Sequence, residues 1–108
     1  MVQDSATERN MAKKAYWVSC YRAIKDPEKV AAYAKLAGPA LRARGGKYLA
    51  LGVANEAYEA GLKQRMVIIE WPSLKDAIDA HESPEYQAAL KVFDNAAERD
   101  FRIIEGVE

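Results

Sequence analysis

Between Trp71 and Ala97 the spacing of apolar positions restarts once, and the restart places the only histidine of the chain. After Ser73, the residues Leu74, Ala77, Ile78 and His81 recur at i, i+3, i+4 and i+7, the one-sided stripe of a short helix, with the Ser73 hydroxyl placed to cap it. Ser83-Pro84 then begins a second count. A hydroxyl N-cap followed by proline is a sound helix start, because the amide that proline lacks would be unpaired in the first turn anyway. The second helix is predicted to bury Tyr86, Ala89, Leu90, Phe93 and Ala97. His81 and Tyr86 therefore flank a break between two helices that rest on whatever lies beneath.

Four other segments read as strands. Ala15 to Arg22, AYWVSCYR, carries Trp17 and Tyr21 on one alternating set and Tyr16, Val18 and Cys20 on the other, so it is expected to be covered on two faces. Lys47 to Val53 divides into an apolar set, Leu49, Leu51 and Val53, and a set of Tyr48, Ala50 and Gly52 that leaves space. Asn55 to Gln64 reads as an extension of this strand that turns near Gly61. Arg65 to Trp71 is apolar on both sides apart from Glu70, and Phe101 to Glu105 is a short last strand. Between the first two strands, Asp26-Pro27 opens a helix with Val30, Tyr33, Ala34, Ala37 and Leu41 along one stripe. Pro39 inside that stripe predicts a kink or break, and Gly45-Gly46 supplies the left-handed stop.

The order is βαββαβ, an α+β ferredoxin-like arrangement: a four-stranded antiparallel sheet with both helical connections on one face. Residues 1–12 are polar and aperiodic and read as a flexible tail, leaving 13–108 as a single domain. With helices on one face only, a sheet apolar on both is expected to form a homodimer through its second face.

Composition narrows the function classes. Sixteen basic and sixteen acidic residues in 108 give no net charge, and the densest basic group, Arg42, Arg44 and Lys47, reads as a solvated helix end, so no nucleic-acid partner is expected. The first ten residues lack the apolar middle of a signal peptide, and no run approaches the ~20 apolar residues of a membrane span. One cysteine, Cys20, excludes an internal disulfide and any zinc spacing; cysteine usage suits a reducing cytoplasm, and neither metal nor cofactor is expected.

AYWV, the DPE helix start, RGGKYLALG, VIIEWPS, HESPEYQAAL and RDFRIIEGV together resemble the bacterial family called domain of unknown function 1330, over about residues 14–108. The resemblance implies a subunit that pairs into a dimeric α/β barrel, and it implies no established activity. Trp71 stands where phenylalanine is commoner, and His81 where an aromatic residue is commoner. The wider barrel group includes cofactor-free antibiotic-biosynthesis monooxygenases, isomerases and haem-degrading monooxygenases. Aligned on the helix break, Ala80 and Leu90 fall where haem-degrading relatives carry a tryptophan and a histidine ligand, and the first strand has no asparagine, so the resemblance does not extend to haem.

Catalytic motifs are scarce: there is no G-x-S-x-G and no glycine-rich phosphate loop. The candidates are His81, whose ordinary pKa lies near neutrality, and Glu70, a carboxylate among apolar neighbours that needs a cationic partner such as Arg22, Arg65 or Arg102. Tyr48 and Tyr86 complete an expected ligand cleft. The reading is a dimeric small-molecule-binding protein or cofactor-free enzyme, monooxygenase- or isomerase-like, in which His81 or Glu70 moves a proton and a tyrosine orients an oxygen. The alternative is a dimeric scaffold without chemistry.

Overall fold

The computed structural model describes residues 13–107, so the expected tail over residues 1–12 lies outside the described residues. Four strands, β1 (Ala15–Ile24), β2 (Lys47–Val53), β3 (Arg65–Trp71) and β4 (Ala97–Glu105), alternate with α1 (Pro27–Ala43), α2 (Leu74–Glu82) and α3 (Pro84–Phe93). All pairings are antiparallel in the order β2-β3-β1-β4. This is the ferredoxin-like sheet that the alternation predicts, with its helical connections on one face.

The caps form as the sequence implies. Asp26 accepts from the Lys29 amide at 3.2 Å, Ser73 from Asp76 at 3.1 Å and Ser83 from Tyr86 at 3.3 Å. Each satisfies an amide that the first helical turn would leave unpaired. Ser83 also donates to the Ala80 carbonyl at 2.7 Å, so one hydroxyl closes α2 and opens α3.

Five local expectations are corrected. α1 is unbroken through Pro39. Gly38 has no Cβ for the proline ring to strike, and Ala37 and Leu41 are buried on either side, so packing keeps the helix continuous across the lost hydrogen bond, which rules out the expected break. Ala97 belongs to β4, not to the helix, because Asp94 and Asn95 both take the left-handed conformation, φ 43° and 56°, and end α3 at Phe93. Residues 54–64 are a loop rather than strand, closed by Ala54 N–H to Gln64 O at 3.0 Å and turned at Tyr58–Gly61. Ile78 is exposed, and Ala80 takes its place in the buried stripe with Ala77, while Leu90 is only partly buried beside fully buried Tyr86 and Ala89.

The core lies between the sheet and the helices. Trp17 is its hub, with ring centroids 5.2 Å from Trp71, 5.1 Å from Tyr86 and 4.9 Å from Phe101, and its Nε1 donates to the Ala77 carbonyl at 2.9 Å. Such tilted and edge-to-face pairs add about 0.5–1.5 kcal/mol each beyond area burial. α1 and α3 are pinned at both ends by Lys29–Asp94 at 2.8 Å and Arg44–Glu85 at 3.3 Å.

Candidate functional site

Strand alternation decides which side chains can meet. In β1, Ala15, Trp17, Ser19 and Tyr21 point under the helices; in β3, the buried Ile69 and Trp71 do the same. Tyr16, Val18, Cys20, Met66, Ile68 and Glu70 therefore lie on the open face. β2 departs from simple alternation: its register against β3 shifts between Tyr48 and Ala50, so Tyr48 opposes Ile69 while Leu51, not Ala50, opposes Val67. This bulge at Leu49 puts Tyr48 and Leu51 together on the helix side and sends Ala50 and Gly52 to the other. The expected set of Tyr48, Ala50 and Gly52 is thereby split.

The four expected site residues do not share a cleft. Tyr48 faces α1, with the Arg42 guanidinium 4.5 Å above its ring, and burial raises its phenol pKa. Glu70 lies on the opposite face of the sheet, 3.4 Å from Lys14 rather than beside one of the arginines first considered. His81 is one-third exposed, with its Nδ1 2.8 Å from Glu82 and its ring edge-on to Trp17 at 6.0 Å and Phe101 at 5.5 Å. Tyr86 is fully buried 5.3 Å from the His81 ring, and its hydroxyl is bonded to that of Tyr33 at 2.7 Å. His81 and Tyr86 thus meet, whereas Tyr48 and Glu70 are separated by the sheet itself.

What the fold does build is a cavity of about 100 Å³ between α1 and the sheet. Its floor is Ser19, Tyr21, Val67 and Phe101, its roof Tyr33 and Ala37, and its rim the exposed Arg42 and Leu51. Three guanidiniums, Arg42, Arg65 and Arg99, line it with three phenols, Tyr21, Tyr33 and Tyr48. Arg99 donates to Tyr33 Oη at 3.1 Å, and its guanidinium lies 4.3 Å from the Phe93 ring centre and 5.5 Å from that of Phe101. Burial pulls the Arg99 pKa down, yet the oxygens of Tyr33 and Tyr86 outweigh it, so the group is held above the ordinary guanidinium value. Among the described residues, three buried side-chain polar atoms have no partner, and two of them, Ser19 Oγ and Arg65 Nε, belong to residues of this cavity.

Sequence reasoning missed this set because its members come from β1, α1, β2, β3 and β4. One signal was available: Ser19 is the only polar residue on the buried face of the first strand. The described residues contain no cluster of three histidine, cysteine or carboxylate side chains able to hold a metal. No helix among them is long and apolar enough to cross a membrane.

The model of the family described as Domain of unknown function (DUF1330) matches residues 14–107. The chain belongs to this family. No curated protein matches it significantly. Solved structures similar to this DUF1330 chain include a protein of unknown function from Rhodopseudomonas palustris, with TM-score 0.71 and 16% identity over 100% of this chain and 95% of that one. SnoaB, a cofactor-independent oxygenase from Streptomyces nogalater, has TM-score 0.62 at 10% identity over 90% and 96%. A dimeric protein of unknown function with a ferredoxin-like fold from Bacteroides fragilis has TM-score 0.52 at 19% identity over 86% and 96%. At these identities the likeness establishes the fold of this DUF1330 member and nothing about its chemistry.

Proposed function

We propose that this protein is a homodimeric, cofactor-free small-molecule-binding protein, with its ligand site in the cavity between α1 and the sheet. The observation that carries the reading is Ser19, a residue of the cavity wall in a buried strand position whose hydroxyl has no partner among the described residues. A buried hydroxyl left unpaired costs about 1–3 kcal/mol, and a ligand or water in the cavity is what can offset it. An apolar hollow with a few convergent polar groups is the usual form of a small-molecule site. By analogy with SnoaB, a cofactor-independent oxygenase of similar fold, the proposal extends to chemistry on the bound molecule. In that chemistry the proton-transfer role first given to His81 and Glu70 falls to the phenols in the cavity wall, because neither His81 nor Glu70 lines it.

The dimer follows from the open face. Tyr16, Val18, Cys20, Met66, Ile68 and Ile104 form an apolar surface at the centre of the sheet, and a second copy turned face to face covers it. The likeness to a protein described as dimeric supports this pairing. The separation of Tyr48 from Glu70 favours a second reading, a dimeric scaffold without chemistry, which predicts an unliganded cavity.

The test is an amide-shift NMR titration with benzyl alcohol, benzamide and benzoate. Shifts confined to Ser19, Tyr33, Ala37 and Arg99 and abolished by Ala37→Leu, which fills the cavity, are the expected result. Shifts elsewhere, or none with any of the three, would defeat the ligand-site reading.

A further inference from the structure

Resting on that ligand site, we infer that its ligand is an organic anion of one ring, an aromatic carboxylate whose charged end is held by Arg65 and Arg99 with Ser19. The charge balance of the wall carries the argument. Arg42, Arg65 and Arg99 line the cavity, and no aspartate or glutamate does. Among the described residues, none of the three takes part in an ion pair, although Lys14, Lys29, Arg44, Lys63, Lys75 and Arg102 each find a carboxylate. Half-buried cations such as Arg65 and Arg99 are normally paired, and the described residues supply no anion to either.

The aromatic rings around the arginines do not make up the difference. Arg65 lies 5.6 Å from the Tyr21 ring centre, and Arg99 lies within 6 Å of the Tyr21, Tyr33, Phe93 and Phe101 rings. A ring face attracts the charge but accepts no in-plane N–H bond, and a guanidinium has five N–H groups to place. Arg99 spends one on Tyr33 Oη, and Arg65 Nε is buried with none. A carboxylate presents two coplanar oxygens to such a fork, and its remaining lone pairs can accept from the Ser19 hydroxyl.

Size and wall chemistry set the rest of the molecule. At about 100 Å³ the cavity is smaller than the roughly 150 Å³ that takes up benzene, so a single ring would reach out through the open rim and a fused polycycle would not be held inside. Trp17, Tyr21, Phe101 and Val67 supply the flat apolar surfaces for that ring.

The experiment compares benzoate with its neutral near-isostere benzamide on the full-length protein at pH 7, by calorimetry with the NMR map as a location check. Benzoate is expected to bind about tenfold or more tightly than benzamide, the usual advantage of charge-assisted hydrogen bonds. Added salt should narrow the gap, and Arg65→Gln should remove it. Arg99→Met should act likewise; should it fail to fold, Arg65→Gln and Ser19→Ala carry the test. Equal affinity for benzamide, or a benzoate preference that survives Arg65→Gln, overturns the anion assignment and leaves the ligand site standing. If neither compound shifts the cavity residues, both fall together.

Discussion

Removing the phenol oxygen of Tyr33 should cost more than removing that of Tyr86, although Tyr86 is the more buried of the two. The two hydroxyls share a 2.7 Å hydrogen bond, but Tyr33 Oη also accepts from Arg99 at 3.1 Å. Tyr86→Phe deletes one bond and leaves Tyr33 with its arginine and a cavity from which water can serve it, so the loss is that of an ordinary hydrogen bond, about 1 kcal/mol. Tyr33→Phe strands the Tyr86 hydroxyl at a site with no accessible surface and removes a charge-assisted bond as well. An orphaned buried hydroxyl costs about 1–3 kcal/mol, and solvent partly replaces the bond to half-buried Arg99, giving about 2–3 kcal/mol. Urea unfolding followed by the fluorescence of Trp17 and Trp71, at one protomer concentration for all variants, measures the difference. Equal losses, or a larger one for Tyr86→Phe, would refute the hydrogen-bond accounting on which the cavity description rests.

Gly46→Ala should destabilise by about 1–3 kcal/mol, because a Cβ there would stand 2.8 Å from Trp71 Cη2 and 3.0 Å from the Leu41 carbonyl, and Trp71 is too enclosed to yield; an unchanged urea midpoint would contradict this. Burial, reinforced by Tyr33, raises the Tyr86 pKa above its ordinary 10.0, so the stability it contributes is full below about pH 10 and is lost as pH rises beyond. Urea midpoints should therefore fall as pH rises above about 10, and less in Tyr86→Phe; a fall of the same size in both would remove Tyr86 as the cause. Light scattering should give twice the 12.0 kDa chain mass for the wild type and the chain mass for Ile68→Glu, which places a charge at the centre of the open face; a monomeric wild type would end the proposed pairing.

The helix starts at Asp26, Ser73 and Ser83, the strands Lys47–Val53 and Arg65–Trp71 and the ferredoxin-like order were legible in the chain, because caps, prolines and hydrophobic periods act between residues a few positions apart. The same locality made Glu70 legible as a carboxylate among apolar neighbours, though not the face it occupies relative to Tyr48. That was decided by a one-residue bulge at Leu49, a property of how β2 pairs with β3, since a strand has period two and one extra residue reverses every side chain beyond it. The helix ran unbroken through Pro39 and Ile78 turned outward because neighbouring elements outweighed local preference. The cavity was least visible of all: Ser19, Tyr33, Arg65 and Arg99 are scattered along the chain and become one charged wall only when β1, β3 and β4 align beneath α1.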